Sequence, residues 1–184
     1  MKKISIFIIA AMACIMNIQV VSAQAPDIVL LSFEGVSFDN TLTNFLFSLK
    51  TLMGWEKVEG FENGAVLAGE YLGCKSVIAI EATPKTHMVY LMHIGIPADD
   101  SNKAFIHSKA EERLTKFYGE PQFNVVKGME EKKVRIWEIP FKGYEMLDIK
   151  CGTIVLQIEE AAVTIKMLDS THKILAVEEQ KALN

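Results

Sequence analysis

The sequence contains little cysteine and no excess of basic residues, and each absence argues against a class of protein. Its 184 residues include only 3 Cys, too few for a zinc ribbon or for a small fold held together by disulfides. Asp and Glu outnumber Lys and Arg by 23 to 19, which argues against binding nucleic acid through phosphate contacts. Half of the residues are hydrophobic, which is typical of a globular chain.

The only long hydrophobic run lies at the N-terminus. Lys2 and Lys3 precede the apolar segment Ile4–Val21, and Ser22 and Ala23 complete a cleavage site of small residues. This pattern predicts a bacterial signal peptide over residues 1–23 and an exported protein, located in the periplasm or outside the cell. No later segment is long and apolar enough to cross a membrane, so we expect no integral span after cleavage.

Two alternatives for the N-terminus stay open. The apolar run of 18 residues can just cross a bilayer, so it could be retained as an anchor. Cys14, after the small residue Ala13, could instead be lipidated. The residues that follow Cys14 are apolar, whereas a lipid-anchored protein needs a polar tether there. We therefore expect simple cleavage after Ala23.

Two stretches of helical spacing, each followed by strand-like segments, predict an α+β fold. Leu42–Met53 follows several potential N-cap residues and ends before Gly54, and Ala104–Tyr118 ends before Gly119 in the same way. The apolar positions expected to face the core are Leu42, Phe45, Leu46, Leu49, Leu52 and Met53 in the first helix, and Ile106, Ala110, Leu114 and Phe117 in the second. Segments separated by Asn-Gly and Pro-containing turns predict antiparallel strands over 55–61, 65–72, 75–82, 87–96, 122–127, 132–139, 144–150, 153–159 and 162–168, before a short C-terminal helix.

The two halves of the chain share a pattern. When the first half of the sequence is shifted by 65 residues, Leu49 aligns with Leu114 and Gly54 aligns with Gly119. Strand-like segments follow in both halves. The sequence therefore predicts two tandem helix-plus-antiparallel-meander units, with each helix packed on one sheet face. The expected boundaries are a first unit over 24–98 and a second unit with a C-terminal tail over 99–184, as two units or as one compact domain.

Two motifs resemble known proteins. The helix exit Leu114–Pro121 and the turn Phe33–Val36 before a capped helix are similar to those of uncharacterised secreted proteins of gut Bacteroidetes. The doubled layout also resembles, in topology alone, β-lactamase-inhibitor-protein-like folds and small outer-membrane assembly lipoproteins. This resemblance implies protein–protein binding rather than catalysis, and it assigns no functional residue.

Alternation along the second-half strands suggests a binding face. Ile154, Leu156 and Ile158 alternate with more polar residues, so one face of the sheet is expected to be apolar and the other exposed to solvent. The same alternation predicts that Val134 and Ile136 point inward and that Arg135 and Trp137 point outward. An outward Trp beside an Arg is typical of an interface anchor, so Trp137 and Arg135 are the predicted binding residues. The alternative is that Trp137 packs under a loop or against the other half.

The sequence carries no catalytic or metal-binding motif. The four His (His87, His93, His107 and His172) show no ligand spacing. Nucleophile elbows and phosphate-binding loops are absent, and the adjacent Glu pairs diverge on any helix or strand. We expect no catalytic residue, no metal site and no cofactor. Cys74 and Cys151 could form a bridge in an oxidising compartment, and the favoured alternative is two separate buried thiols.

The resulting hypothesis is an exported, non-catalytic protein- or ligand-binding module of the bacterial cell envelope, whose partner is another envelope or extracellular protein. Two alternatives stay open. The chain could be a hydrolytic enzyme whose site assembles only in the fold, or a carrier of a small apolar ligand.

Export gives the first testable prediction. The protein recovered from the envelope or the medium should begin at Gln24, because signal peptidase cuts after a small residue such as Ala23. N-terminal sequencing and intact mass would test this. A lipidated N-terminus at Cys14, or an uncut chain in the membrane fraction, would contradict it.

Overall fold

The computed structural model describes residues 31–122, 134–140 and 150–183. Within these ranges the chain is a mixed α+β fold with three helices, a seven-stranded antiparallel sheet and a two-stranded sheet. The helices are α1 (Leu42–Met53), α2 (Lys103–Tyr118) and α3 (Ser170–Lys181). The strands are β1 (Ser32–Phe33), β2 (Val36–Ser37), β3 (Glu56–Phe61), β4 (Gly64–Tyr71), β5 (Cys74–Ala82), β6 (Val89–Pro97), β7 (Val134–Pro140), β8 (Lys150–Ile158) and β9 (Ala162–Asp169).

Both long predicted helices are confirmed, and α1 has the predicted bounds. Gly54 ends α1 at φ 72°, a left-handed conformation that glycine adopts at little cost, and its N–H donates to carbonyls of the last turn. Phe45 and Leu49 lie four residues apart, on one side of α1, and both are fully buried. The inward positions expected for Leu52 and Phe117 are wrong. Both lie in the last turn of their helices, and they are 69% and 51% exposed.

The seven strands lie in the order β3-β4-β5-β6-β9-β8-β7, and every neighbouring pair is antiparallel. β3 to β6 are consecutive in sequence and in space, and so are β7 to β9. The two sets meet where β6 pairs with β9, with Ile94 opposite Ile165. The strands predicted over 122–127 and 144–150 lie mostly outside the described residues.

The core lies on one side of this sheet, which we call the inner face. Side chains alternate across a strand, and the inward members Ile94, Ile165 and Leu156 are fully buried. Helix α2 packs against β7, β8 and β9, while the buried side chains of α1 belong to the same apolar cluster. Each such buried side chain contributes roughly 1.5–3 kcal/mol relative to an exposed one. The fold therefore depends mainly on covering this face.

A partly buried ionic contact ties the two-stranded sheet to α2 and β4. Glu34, in the turn between β1 and β2, accepts hydrogen bonds from the Arg113 guanidinium and from the Tyr71 hydroxyl. Burial raises the pKa of Tyr71, and the Glu34 charge raises it further, so the phenol stays protonated and keeps donating. The Tyr118 hydroxyl donates to the Ser32 carbonyl nearby. These contacts join elements that are far apart in sequence.

Two phenylalanines of α1 give a matched test of this packing. Phe45→Ala should lower the free energy of unfolding by about 3–5 kcal/mol, because it leaves a cavity where a fully buried ring stood. Phe47→Ala is the control, because this ring is 69% exposed and its loss should change stability by only about 0.5 kcal/mol. Urea denaturation would measure both values, and similar losses would contradict the described orientation of α1.

Candidate functional site: the uncovered face of the sheet

The opposite side of the seven-stranded sheet, which we call the outer face, is largely accessible. On β5, Val77 is 46% exposed whereas its neighbour Ile78 is fully buried. On β6, His93 is exposed between the buried Met92 and Ile94. An antiparallel sheet can leave one face uncovered, unlike a parallel sheet between crossover helices. The outer face therefore presents partly exposed side chains from neighbouring strands.

Strand register arranges this surface into rows, because residues that pair across strands lie on the same face. Two neighbouring rows cross six strands from β4 to β7, and we call them the sheet-face patch. The first row consists of Val66, Ala79, His93, Lys166, Val155 and Ile136, and the second of Ala68, Val77, Gly95, Thr164, Gln157 and Val134. All of these residues are at least partly exposed except Thr164.

The centre of the sheet-face patch carries basic side chains among small and branched apolar ones. His93 and Lys166 are direct cross-strand partners on β6 and β9, and both are exposed. Neither side chain has a hydrogen bond or an ion pair among the described residues. Ala79 and Val155 flank them in the same row. The patch therefore presents the ammonium group of Lys166, which has no ion pair among the described residues, next to apolar side chains.

The acidic side chains near the patch already have partners. Glu81 accepts from the Tyr90 hydroxyl, and Glu138 pairs with Lys150. Glu159 accepts from the Gln157 amide at 2.6 Å. None of these contacts is an ion pair with Lys166, so its positive charge remains available for a group outside the chain.

The outward orientation expected for Trp137 and Arg135 was wrong. Trp137 pairs with the inward Ile154, is only 2% exposed, and donates from Nε1 to the Gly119 carbonyl at 2.9 Å. Arg135 pairs with Leu156, and its guanidinium contacts the Glu111 carboxylate of α2. Cross-strand partners share a face, so the register with β8 reverses the expected alternation. The binding role given to these two residues depended on that orientation.

The reversed alternation places Val134 and Ile136 on the outer face, where both are partly exposed. One feature of the sequence could have indicated the correct orientation. Trp137 and Ile139 lie on the same side of the strand, and together they carry more apolar surface than Val134 and Ile136. The two rows of the patch were not predicted, since each unites residues from six strands.

Other reactive side chains are dispersed. No group of three His, Cys, Asp or Glu residues suited to a metal ion occurs among the described residues. His107 is buried with its Nδ1 3.6 Å from a carboxylate oxygen of Glu111, and His172 Nδ1 lies 2.9 Å from the Val89 carbonyl. Of the helices in the described ranges, none has the length and hydrophobicity needed to cross a membrane.

Cys74 and Cys151 are not bridged to each other and have different surroundings. Burial, together with the charge of Asp169, raises the pKa of Cys151 to about 11. The thiol donates to the Ile139 carbonyl at 3.3 Å. Cys74 is partly exposed, so reagents can reach it in the folded protein.

Thiol labelling should therefore distinguish the two cysteines. At pH 8 only about one in a thousand Cys151 side chains is a thiolate, the form that reacts, so iodoacetamide should modify Cys74 first. Modification of Cys151 should accelerate as the pH rises towards its pKa, or when urea unfolds the chain. Peptide mass spectrometry would follow both residues. Rapid labelling of Cys151 in the native protein at pH 8 would contradict the described burial.

Comparisons with known proteins do not assign a family to the chain. No protein-family model matches the sequence, and neither the curated proteins nor the solved structures include a match. The argument for function therefore starts from the sheet-face patch.

Proposed function

We propose that this chain is an exported, non-catalytic protein-binding module of the bacterial cell envelope, and that the sheet-face patch is its docking surface. The observation that carries the proposal is the accessible row centred on His93 and Lys166, because it combines apolar area with an unpaired charge. Large exposed patches of mixed apolar and polar character are typical of interaction sites.

The shape of the patch favours a protein as the partner. Six strands at the usual spacing extend over roughly 24 Å, which is wider than most small molecules. The rows run across an open sheet face, whereas small-ligand sites are concave pockets. A partner protein can cover such an area and remove the apolar side chains Val77, Val155 and Ile136 from water.

The charge of the patch specifies the chemistry of that partner. Lys166 would be desolvated on docking, and a buried charge is costly unless it is paired. We therefore infer that the partner presents a carboxylate surrounded by apolar side chains. The carboxylate would pair with Lys166, and the His93 imidazole would donate a hydrogen bond to it.

We also propose that the two halves are copies of one unit. The order of elements supports this, because α1 precedes β3 to β6 and α2 precedes β7 to β9. The last strand of each set lies at the shared boundary, where β6 pairs with β9. Export through cleavage of residues 1–23 belongs to the same proposal and is supported by the apolar N-terminal run.

Position-specific crosslinking tests the docking surface. A photoreactive residue at position 77, on the patch, should crosslink an envelope protein, whereas the same residue at position 116, on the exposed side of α2, should not. The crosslinked protein is then identified by mass spectrometry and purified. A crosslink between two copies of this chain would contradict the proposal.

Charge reversal tests the chemistry of the partner. Lys166→Glu should weaken binding of the purified partner by at least about 30-fold, since it replaces an attractive pair by a repulsive one in a desolvated site. Lys116→Glu is the matched control, with the same change of charge away from the patch. Calorimetry would measure both affinities, and equal effects of the two substitutions would contradict the proposal.

A further inference from the structure

A cleft separate from the sheet-face patch opens where α3 crosses the end of the sheet. Its volume is about 410 Å³, which lies in the range of small-ligand sites. Phe61, Pro84 and Val177 form its apolar walls, and Glu81, Tyr90 and Lys173 contribute polar groups. We call it the α3 cleft, and it shares no residue with the patch.

The walls of the α3 cleft are held together by a buried carboxylate. Glu179 of α3, only 8% exposed, accepts hydrogen bonds from the backbone N–H of Lys85 at 2.6 Å and from the Thr86 hydroxyl at 2.7 Å. Burial opposes ionisation of Glu179, but these hydrogen bonds outweigh it and lower its pKa. The loop carrying Pro84 is thereby fixed to α3 before any ligand arrives, which reduces the entropy lost on binding.

Two opposite charges line the cleft without pairing with each other. The Tyr90 hydroxyl donates to Oε2 of Glu81, and the Lys173 Nζ lies 4.7 Å from the centre of the Tyr90 ring. Oε1 of Glu81 has no described hydrogen-bond partner, and no described ion pair involves Lys173. The Tyr90 ring therefore separates a carboxylate from an ammonium group at the edge of an apolar cleft.

We propose that the α3 cleft binds a zwitterionic α-amino acid with an apolar side chain, free or at the end of a dipeptide. The ligand's ammonium group pairs with Glu81, and its carboxylate pairs with Lys173. The side chain occupies the space between Phe61 and Val177. A ligand with both charges satisfies both protein groups, whereas a ligand with one charge leaves the other group unpaired.

Three related compounds test this assignment by calorimetry. L-Phenylalanine carries both charges, 2-phenylethylamine lacks the carboxylate, and 3-phenylpropanoate lacks the ammonium group. L-Phenylalanine should bind at least about 10-fold more tightly than either of the others. Absence of binding at millimolar concentration, or equal binding of all three compounds, would overturn the proposal.

Two variants then assign each charge to its partner. Glu81→Gln keeps an acceptor for Tyr90 but removes the negative charge, so L-phenylalanine should lose its advantage over 3-phenylpropanoate. Lys173→Met should remove its advantage over 2-phenylethylamine. Glu70→Gln and Lys116→Met, which make the same changes outside the cleft, should alter nothing. Equal losses in test and control variants would overturn the assignment.

Lys166→Glu separates this proposal from the docking surface. It changes the sheet-face patch and none of the cleft residues, so L-phenylalanine should bind this variant as it binds the unaltered protein. A loss of binding there would overturn the independence of the two sites.

Discussion

The antiparallel pairing of β6 with β9 is the interaction on which the rest of the structure depends. It joins the strand set β3 to β6 to the set β7 to β9, and it is the only pairing between them in the described residues. Its inward side chains are fully buried, including Ile94 opposite Ile165 and Met92 opposite Met167. At roughly 1.5–3 kcal/mol each, these side chains contribute more than the cross-strand contacts of the outer face, which are worth about 0.2–1 kcal/mol.

The same pairing determines the chemistry of the outer face. A shift of one residue between β6 and β9 would turn the apolar side chains of one strand towards solvent, so the core fixes the register. With the register fixed, His93 and Lys166 must lie side by side on the outer face. Two basic groups in direct opposition give no stability to the isolated sheet. The proposed docking role assigns these two groups to a partner rather than to the stability of the sheet.

The end of the sheet is organised differently from its centre. Side chains of α3 and of the loop after β5 meet there through polar contacts, with Glu179 bound to Thr86 and His172 close to the Val89 carbonyl. These contacts join residues more than 80 positions apart in the chain. They fix α3 against the loop that carries Pro84, beside the α3 cleft.

The sequence by itself determined the local elements, because helical spacing, capping glycines and turn residues act over a few positions. It therefore predicted α1 to the residue and placed β4, β5 and β9 within one or two residues of their bounds. It did not determine which face of β7 is buried, since both parities of that strand carry apolar residues and only the register with β8 selects Trp137. The sheet-face patch and the α3 cleft were likewise decided by the tertiary structure alone. Both sites contain side chains from distant parts of the chain. A local sequence pattern does not specify which strands become neighbours.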